Sequence, residues 1–210
     1  MPAFSMQAIE AEYIAASARV ASLVNAARGL VTTSGRPVHV RDLEEIAGLA
    51  VLKLTLAWES FLEDSFLRYL CGAPSCVGGA PTLLGARQPT LKAAYALLLG
   101  TQKYLGWSPT ASVTRASLHF AAGEPYRSAI GGAAADLRQI NAIRNRIAHR
   151  SPFSVSEFQA VVVAELGSVP RGMTPGRFLL GTLPSKGGVV ALDYYLGILR
   201  ATTHLIANHI

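Results

Sequence analysis

The chain has 210 residues, of which hydrophobic types make up 50% and charged types 15%, with a net charge of +6. That length allows one large domain or two small ones and is enough to bury a real core. So few charges leave apolar surface to spare, which favours a second subunit as its cover, and the basic balance favours an anionic partner, nucleic acid being the commonest. The two cysteines, Cys71 and Cys76, cannot complete a four-ligand zinc site and read as free thiols in a reducing cytosol. Asp193 and Lys53 interrupt the most apolar stretches, so no run approaches the ~18 clean apolar residues of a membrane span, and the first ten residues lack a signal-peptide pattern.

In chain order, the spacing of Ile9, Tyr13, Val20, Leu23 and Val24 predicts a helix from Ala3 to Arg28, stopped by Gly29. A linker T-T-S-G-R-P-V-H follows. A second long helix is expected from a cap at Asp42 or a near neighbour to Leu70, ended by Gly72 and Pro74. Its apolar residues (Leu49, Leu52, Leu56, Phe61, Phe66, Leu70) fill more than one stripe, which places it at the centre of a bundle. Residues 72–89 read as a Gly/Pro-rich loop, Leu91 to Leu105 as a short helix, and the stretch after G-W-S-P as less regular up to Gly132. A helix from Ala133 to Arg150, stopped by Pro152, comes next. S-V-S-E-F-Q-A-V-V-V-A-E-L-G then reads as a helix capped by Ser154 or Ser156, with a strand through its valines as the alternative. A small hairpin fits within 167–188, and a last helix starts near Val190. The fold class is therefore all-α: an antiparallel helical bundle in a single domain, 1–210, with its core over about 3–150 and a C-terminal helical extension over 154–210.

Projected on a helix at about 100° per residue, Leu137, Ile140, Ile143 and Ile147 form one apolar stripe, and Arg138, Asn145 and His149 fall together opposite it. Arg144 lies beside the apolar stripe and needs an acid partner or a path to the edge. Basic residues at a helix C-terminus also complement the helix dipole without further function. Gly131 and Gly132 lack any phosphate-loop pattern and read as a helix-start hinge, and His39, His119, His204 and His209 show no partner pattern.

The string Arg144-Asn145-Arg146-Ile147-Ala148-His149 resembles the signature of the HEPN superfamily, an arginine, a polar residue, a short gap and a histidine near the end of a bundle helix. Trp58-Glu59-Ser60-Phe61 in the second helix resembles the W-E-x-F region of RiboL-PSP-type and MAE-like HEPN proteins. The resemblance spans Ala47 to His149 and leaves the tail after Pro152 uncovered. It implies a HEPN-like bundle and a metal-independent endoribonuclease without cofactor, acting in the cytoplasm as a homodimer with a composite site, in a toxin or defence role beside an antitoxin or a neighbouring defence protein. It implies His149 as general acid or base, Arg144 as the cation on the transition state, Asn145 as the orienting group and Glu59 as support for Arg144. Arg138, Arg146 and Arg150 then hold RNA phosphates. The alternative it carries is a non-catalytic HEPN-type module that binds RNA or protein. Some HEPN toxins have a tyrosine two residues after the histidine; Ser151 stands there, so that route of regulation is not expected.

Overall fold

The structure is a computed structural model that describes residues 5–32 and 39–210. It is all-α, as the periodicity predicts. The helices are α1 (Met6–Thr32), α2 (Val40–Leu70), α3 (Leu91–Leu99), α4 (Pro109–His119), α5 (Tyr126–Gly132), α6 (Ala134–Ala148), α7 (Pro152–Leu166), α8 (Pro175–Leu180) and α9 (Ala191–Ala207). Strands β1 (Thr182–Leu183) and β2 (Val189–Val190) pair antiparallel, Thr182 opposite Val190, and form the small hairpin expected near this point. Among the described residues no helix is long and apolar enough to cross a membrane.

Local chemistry explains where the helices begin. Ser108, Ser151 and Thr174 each stand just before a proline, and each side chain accepts a hydrogen bond from the backbone N–H three residues on (Ala111, Ser154, Arg177). The hydroxyl satisfies one orphan donor of the first turn, while proline has no N–H to orphan and a φ already helical. These signals correct two expectations. The stretch before Gly132 is not irregular but holds α4, a 3-10 turn at Ala121–Gly123, and α5. Pro152 opens α7 as well as closing the chain behind α6, and the cap is Ser151 rather than Ser154 or Ser156. The valines are helical, as first read, and not the alternative strand.

Other boundaries also move. Gly29 does not stop α1, which runs on to Thr32. Helix α3 ends at Leu99, not Leu105, because Gly100 adopts φ 53° and turns its N–H onto the Ala96 carbonyl. At the start of α2 the cap is His39: its Nδ1 accepts from Arg41 N, while Asp42 reaches back to accept from His39 N. The expected linker falls mainly on residues 33–38, outside the described residues. Gly131 and Gly132 end α5 rather than start α6. Leu49 and Leu56 are 56% and 54% exposed, so that part of α2 is not at a bundle centre; Ala47, Ala50, Val51 and Leu54 carry its burial instead.

The chain forms two compact units, each assembled from separate stretches of sequence: 1–14, 57–137 and 199–210 in the first, 15–56 and 138–198 in the second. The first is organised around aromatic rings. Phe66 stacks on Tyr126 with centroids 4.1 Å apart and lies 5.2 Å from Phe120 and 5.3 Å from Trp107. Tyr126 OH and Ser65 Oγ share a hydrogen bond of 2.8 Å, Tyr69 OH donates to the Ile206 carbonyl at 2.6 Å, and Trp107 Nε1 donates to Glu63 at 3.0 Å. Trp58 and Phe61 are buried here in the core.

The second unit is joined by polar groups at its centre. Tyr195 OH donates to Gln139 Oε1 (2.9 Å), Gln139 Nε2 donates to Glu165 Oε1 (2.8 Å), and Ser185 Oγ donates to Glu165 Oε2. Around this chain pack Ile140, Ile143, Val161, Val162 and the edge-to-face pair Phe158–Phe178. Gly176 lets α8 lie directly against α2, since a Cβ there would collide with the Glu44 carbonyl oxygen, and Thr174 Oγ1 adds a 2.7 Å hydrogen bond to the Glu44 carboxylate.

Candidate functional site

The apolar stripe of α6 behaves as its spacing requires: Leu137, Ile140 and Ile143 are buried, and Ile147 is half-buried against Gly48 of α2. This fixes the rotation of the helix and sets where its polar residues emerge. Arg138 is exposed, Arg144, Asn145 and Arg146 are half-buried, and His149 and Arg150 are exposed at the end. Asp136 in the first turn and Arg146 in the last complement the dipole.

Arg144 is the least satisfied of these cations. Its Nη1 donates to Asn145 Oδ1 at 3.1 Å, and its Nε is buried with no hydrogen-bond partner. The guanidinium thus turns toward Asn145, the residue that the helical projection puts on the histidine's side. The backbone continues this link, because His149 N donates to the Asn145 carbonyl at 2.8 Å and the helix stays wound up to the histidine. The His149 ring takes part in no hydrogen bond among the described residues, while its carbonyl is held twice, by Ser154 Oγ at 3.0 Å and Arg146 Nη1 at 3.4 Å. The structure therefore joins Arg144 to Asn145 and leaves the imidazole open to solvent one turn on. Glu59 is half-buried, engaged with a partner, and belongs to the first unit, whereas Arg144 belongs to the second.

Chemically, the buried Nε is a donor desolvated without a partner, which carries a cost, and the guanidinium as a whole is a permanent cation of the kind that pairs with oxyanions. A solvent-facing imidazole offers ring nitrogens that can take or give a proton. Among the described residues no group of three His, Cys, Asp or Glu side chains is arranged to hold a metal ion.

Two further clusters, both in the first unit, escaped the sequence reading. Glu10 accepts from the Asn208 amide (3.1 Å), pairs with His204 Nδ1 (2.9 Å) and accepts from the Cys76 thiol (3.3 Å). Burial, and then the Glu10 hydrogen bond and charge, push the Cys76 thiol up to about 11, so it stays protonated and is no ready nucleophile. Residues up to 198 positions apart make this cluster, and no local pattern could announce it. The second is an open cavity of about 210 Å³ walled by leucines, including Leu83, Leu84 and Leu97, with Gln88 and His119. Burial, and then Arg115, lower the His119 pKa and favour its neutral form. Compared with known proteins, the chain matches no family model, no curated protein and no solved structure.

Proposed function

We propose that this protein is a HEPN-type, metal-independent endoribonuclease that acts as a homodimer. The observation that carries the reading is Arg144: a half-buried guanidinium bonded to Asn145, with an unpaired Nε, one turn before an exposed histidine. The resemblance of Arg144-Asn145-Arg146-Ile147-Ala148-His149 to the HEPN signature supports the same residues, and the net charge of +6 suits an RNA partner.

In the proposed reaction the 2′-oxygen attacks the adjacent phosphorus, the bond to the 5′-oxygen breaks, and the products are a 2′,3′-cyclic phosphate and a 5′-hydroxyl. One His149 takes the 2′-hydroxyl proton and the His149 of a second copy gives a proton to the 5′-oxygen, a contribution of about 10²–10⁴-fold for each such group. Arg144 holds the non-bridging oxygens, and Asn145 fixes the guanidinium. Arg146, Arg150 and Arg138 attract neighbouring phosphates, a contribution that weakens with salt.

One observation favours the alternative, a non-catalytic RNA-binding module: among the described residues the His149 ring has no orienting hydrogen bond. An RNA cleavage assay in EDTA separates the two. Wild type should leave 2′,3′-cyclic ends, and folded His149→Ala and Arg144→Ala should each lose at least about 10²-fold in rate. RNA binding without cleavage by wild type selects the binding module, and equal cleavage by wild type and His149→Ala removes this site from the reaction.

A further inference from the structure

Phe153 is 70% exposed, in a unit whose other four aromatic side chains, Phe158, Phe178, Tyr194 and Tyr195, are all buried or half-buried. It stands in the first turn of α7, four residues after His149, and its placement is not loose. Ser151 Oγ accepts from Ser154 N at 3.2 Å, and Ser154 Oγ lies 3.0 Å from the His149 carbonyl and 2.9 Å from that of Ser151. Pro152 fixes the backbone between them. The corner from His149 to Phe153 is therefore a short, cross-braced turn that presents an imidazole, the Arg150 guanidinium and a phenyl ring to solvent. Arg146 is braced onto the same turn through the His149 carbonyl. Glu157, one helical turn beyond Phe153, is the nearest acid in the sequence of α7.

A flat ring left in water forgoes the stabilisation of apolar burial. Set among cations, it matches a ligand that alternates anionic and flat aromatic groups, which is single-stranded nucleic acid. We propose that Phe153 is a base-stacking platform: it takes the face of one unpaired nucleobase beside the phosphate held at Arg144 and His149, and so restricts the site to unpaired RNA. The inference rests on the ribonuclease reading for the identity of its ligand. Phe153 is a positioning and specificity residue, since it touches the base and not the reacting atoms.

The test is binding of a fluorescein-labelled, fully 2′-O-methylated single-stranded oligonucleotide, which cannot be cleaved, to wild type, Phe153→Ala, Phe153→Leu and Phe153→Trp at one fixed salt concentration. Stacking predicts that Phe153→Ala and Phe153→Leu weaken binding about 5- to 100-fold while Phe153→Trp retains it. A single abasic nucleotide at the stacked position should weaken wild type equally and leave Phe153→Ala unaffected. Equal binding by all four proteins overturns the proposal, as does a Leu variant as good as Trp, which would mean an apolar contact without stacking. A change of oligomeric state in Phe153→Ala by sedimentation would assign the ring to a protein interface instead. Cleavage of unmodified RNA, followed in parallel, keeps the two ideas apart. Cleavage with binding indifferent to Phe153 defeats the platform alone, binding without cleavage defeats the enzyme alone, and no binding by wild type defeats both.

Discussion

In the first unit Phe66, Tyr69, Trp107, Phe120 and Tyr126 lean on one another, and their polar atoms are spent on near neighbours such as Ser65 and Glu63. In the second, the corresponding place is taken by Tyr195, Gln139, Glu165 and Ser185, bonded in a line from α9 through α6 and α7 to the hairpin. In an aromatic cluster the contact is spread over whole ring faces and edges, and both stacked and edge-to-face tilts satisfy it. A line of hydrogen bonds is directional instead, and its buried members, Tyr195 and Glu165, carry a desolvation cost when left without a partner. The unit that holds Arg144, Asn145 and His149 is thus the one whose helix is set by directional bonds, with Gln139 of α6 in the middle of them.

The largest effect that would break this contrast is expected in the aromatic unit. Phe66→Ala removes a fully buried ring that touches three others and should cost about 3–5 kcal/mol in denaturant unfolding. Next comes Glu165→Leu, which strands the Gln139 amide and should cost about 1–3 kcal/mol. It should also lower RNA cleavage out of proportion to the loss of folded protein, because α6 loses its anchor; activity that simply tracks the folded fraction would make the line a structural brace only.

A paired deletion of hydroxyls sharpens the comparison further. Tyr195→Phe leaves Gln139 short of a donor and should cost about 1 kcal/mol, whereas Tyr126→Phe leaves Ser65 its bond to the Leu62 carbonyl and should cost less. The smallest expected effect is in alkali. Burial raises the Tyr126 pKa well above the ordinary 10.0, so the unfolded chain gives up that proton first and stability falls as pH climbs past 10.0. Tyr126→Phe should flatten that fall in a pH series of thermal melts.

Much of this was legible in the sequence. The stripe Leu137, Ile140, Ile143, Ile147 has a single period and one buried face, so both the helix and the exit points of Arg138 and His149 follow from it. Three of the helix starts were equally written in Ser108-Pro109, Ser151-Pro152 and Thr174-Pro175, but a proline reads first as a break, and the same residue that forbids one helix preorganises the next. Leu49 and Leu56 misled because leucine alone does not say which face is covered. The bond from Arg144 to Asn145 depends on a rotamer, and the Glu10 cluster depends on residues far apart in the chain; neither has a local signature.

The Glu10 cluster also bears on time. The first unit draws its last stretch from residues 199–210, where Ile206 accepts from Tyr69, Ala207 accepts from Cys76 and His209 accepts from Ser75. Those acceptors follow the other stretches of the first unit in the sequence, and at ~5–20 residues per second of translation the segment ending at Leu137 waits on the order of several seconds for them. During that interval Tyr69 OH, Cys76 N and Ser75 Oγ are without the acceptors they have in the finished fold. Residues 199–210 therefore complete the first unit, and a ribosome stalled short of Leu199 should hold a chain that proteases still cut within residues 57–137.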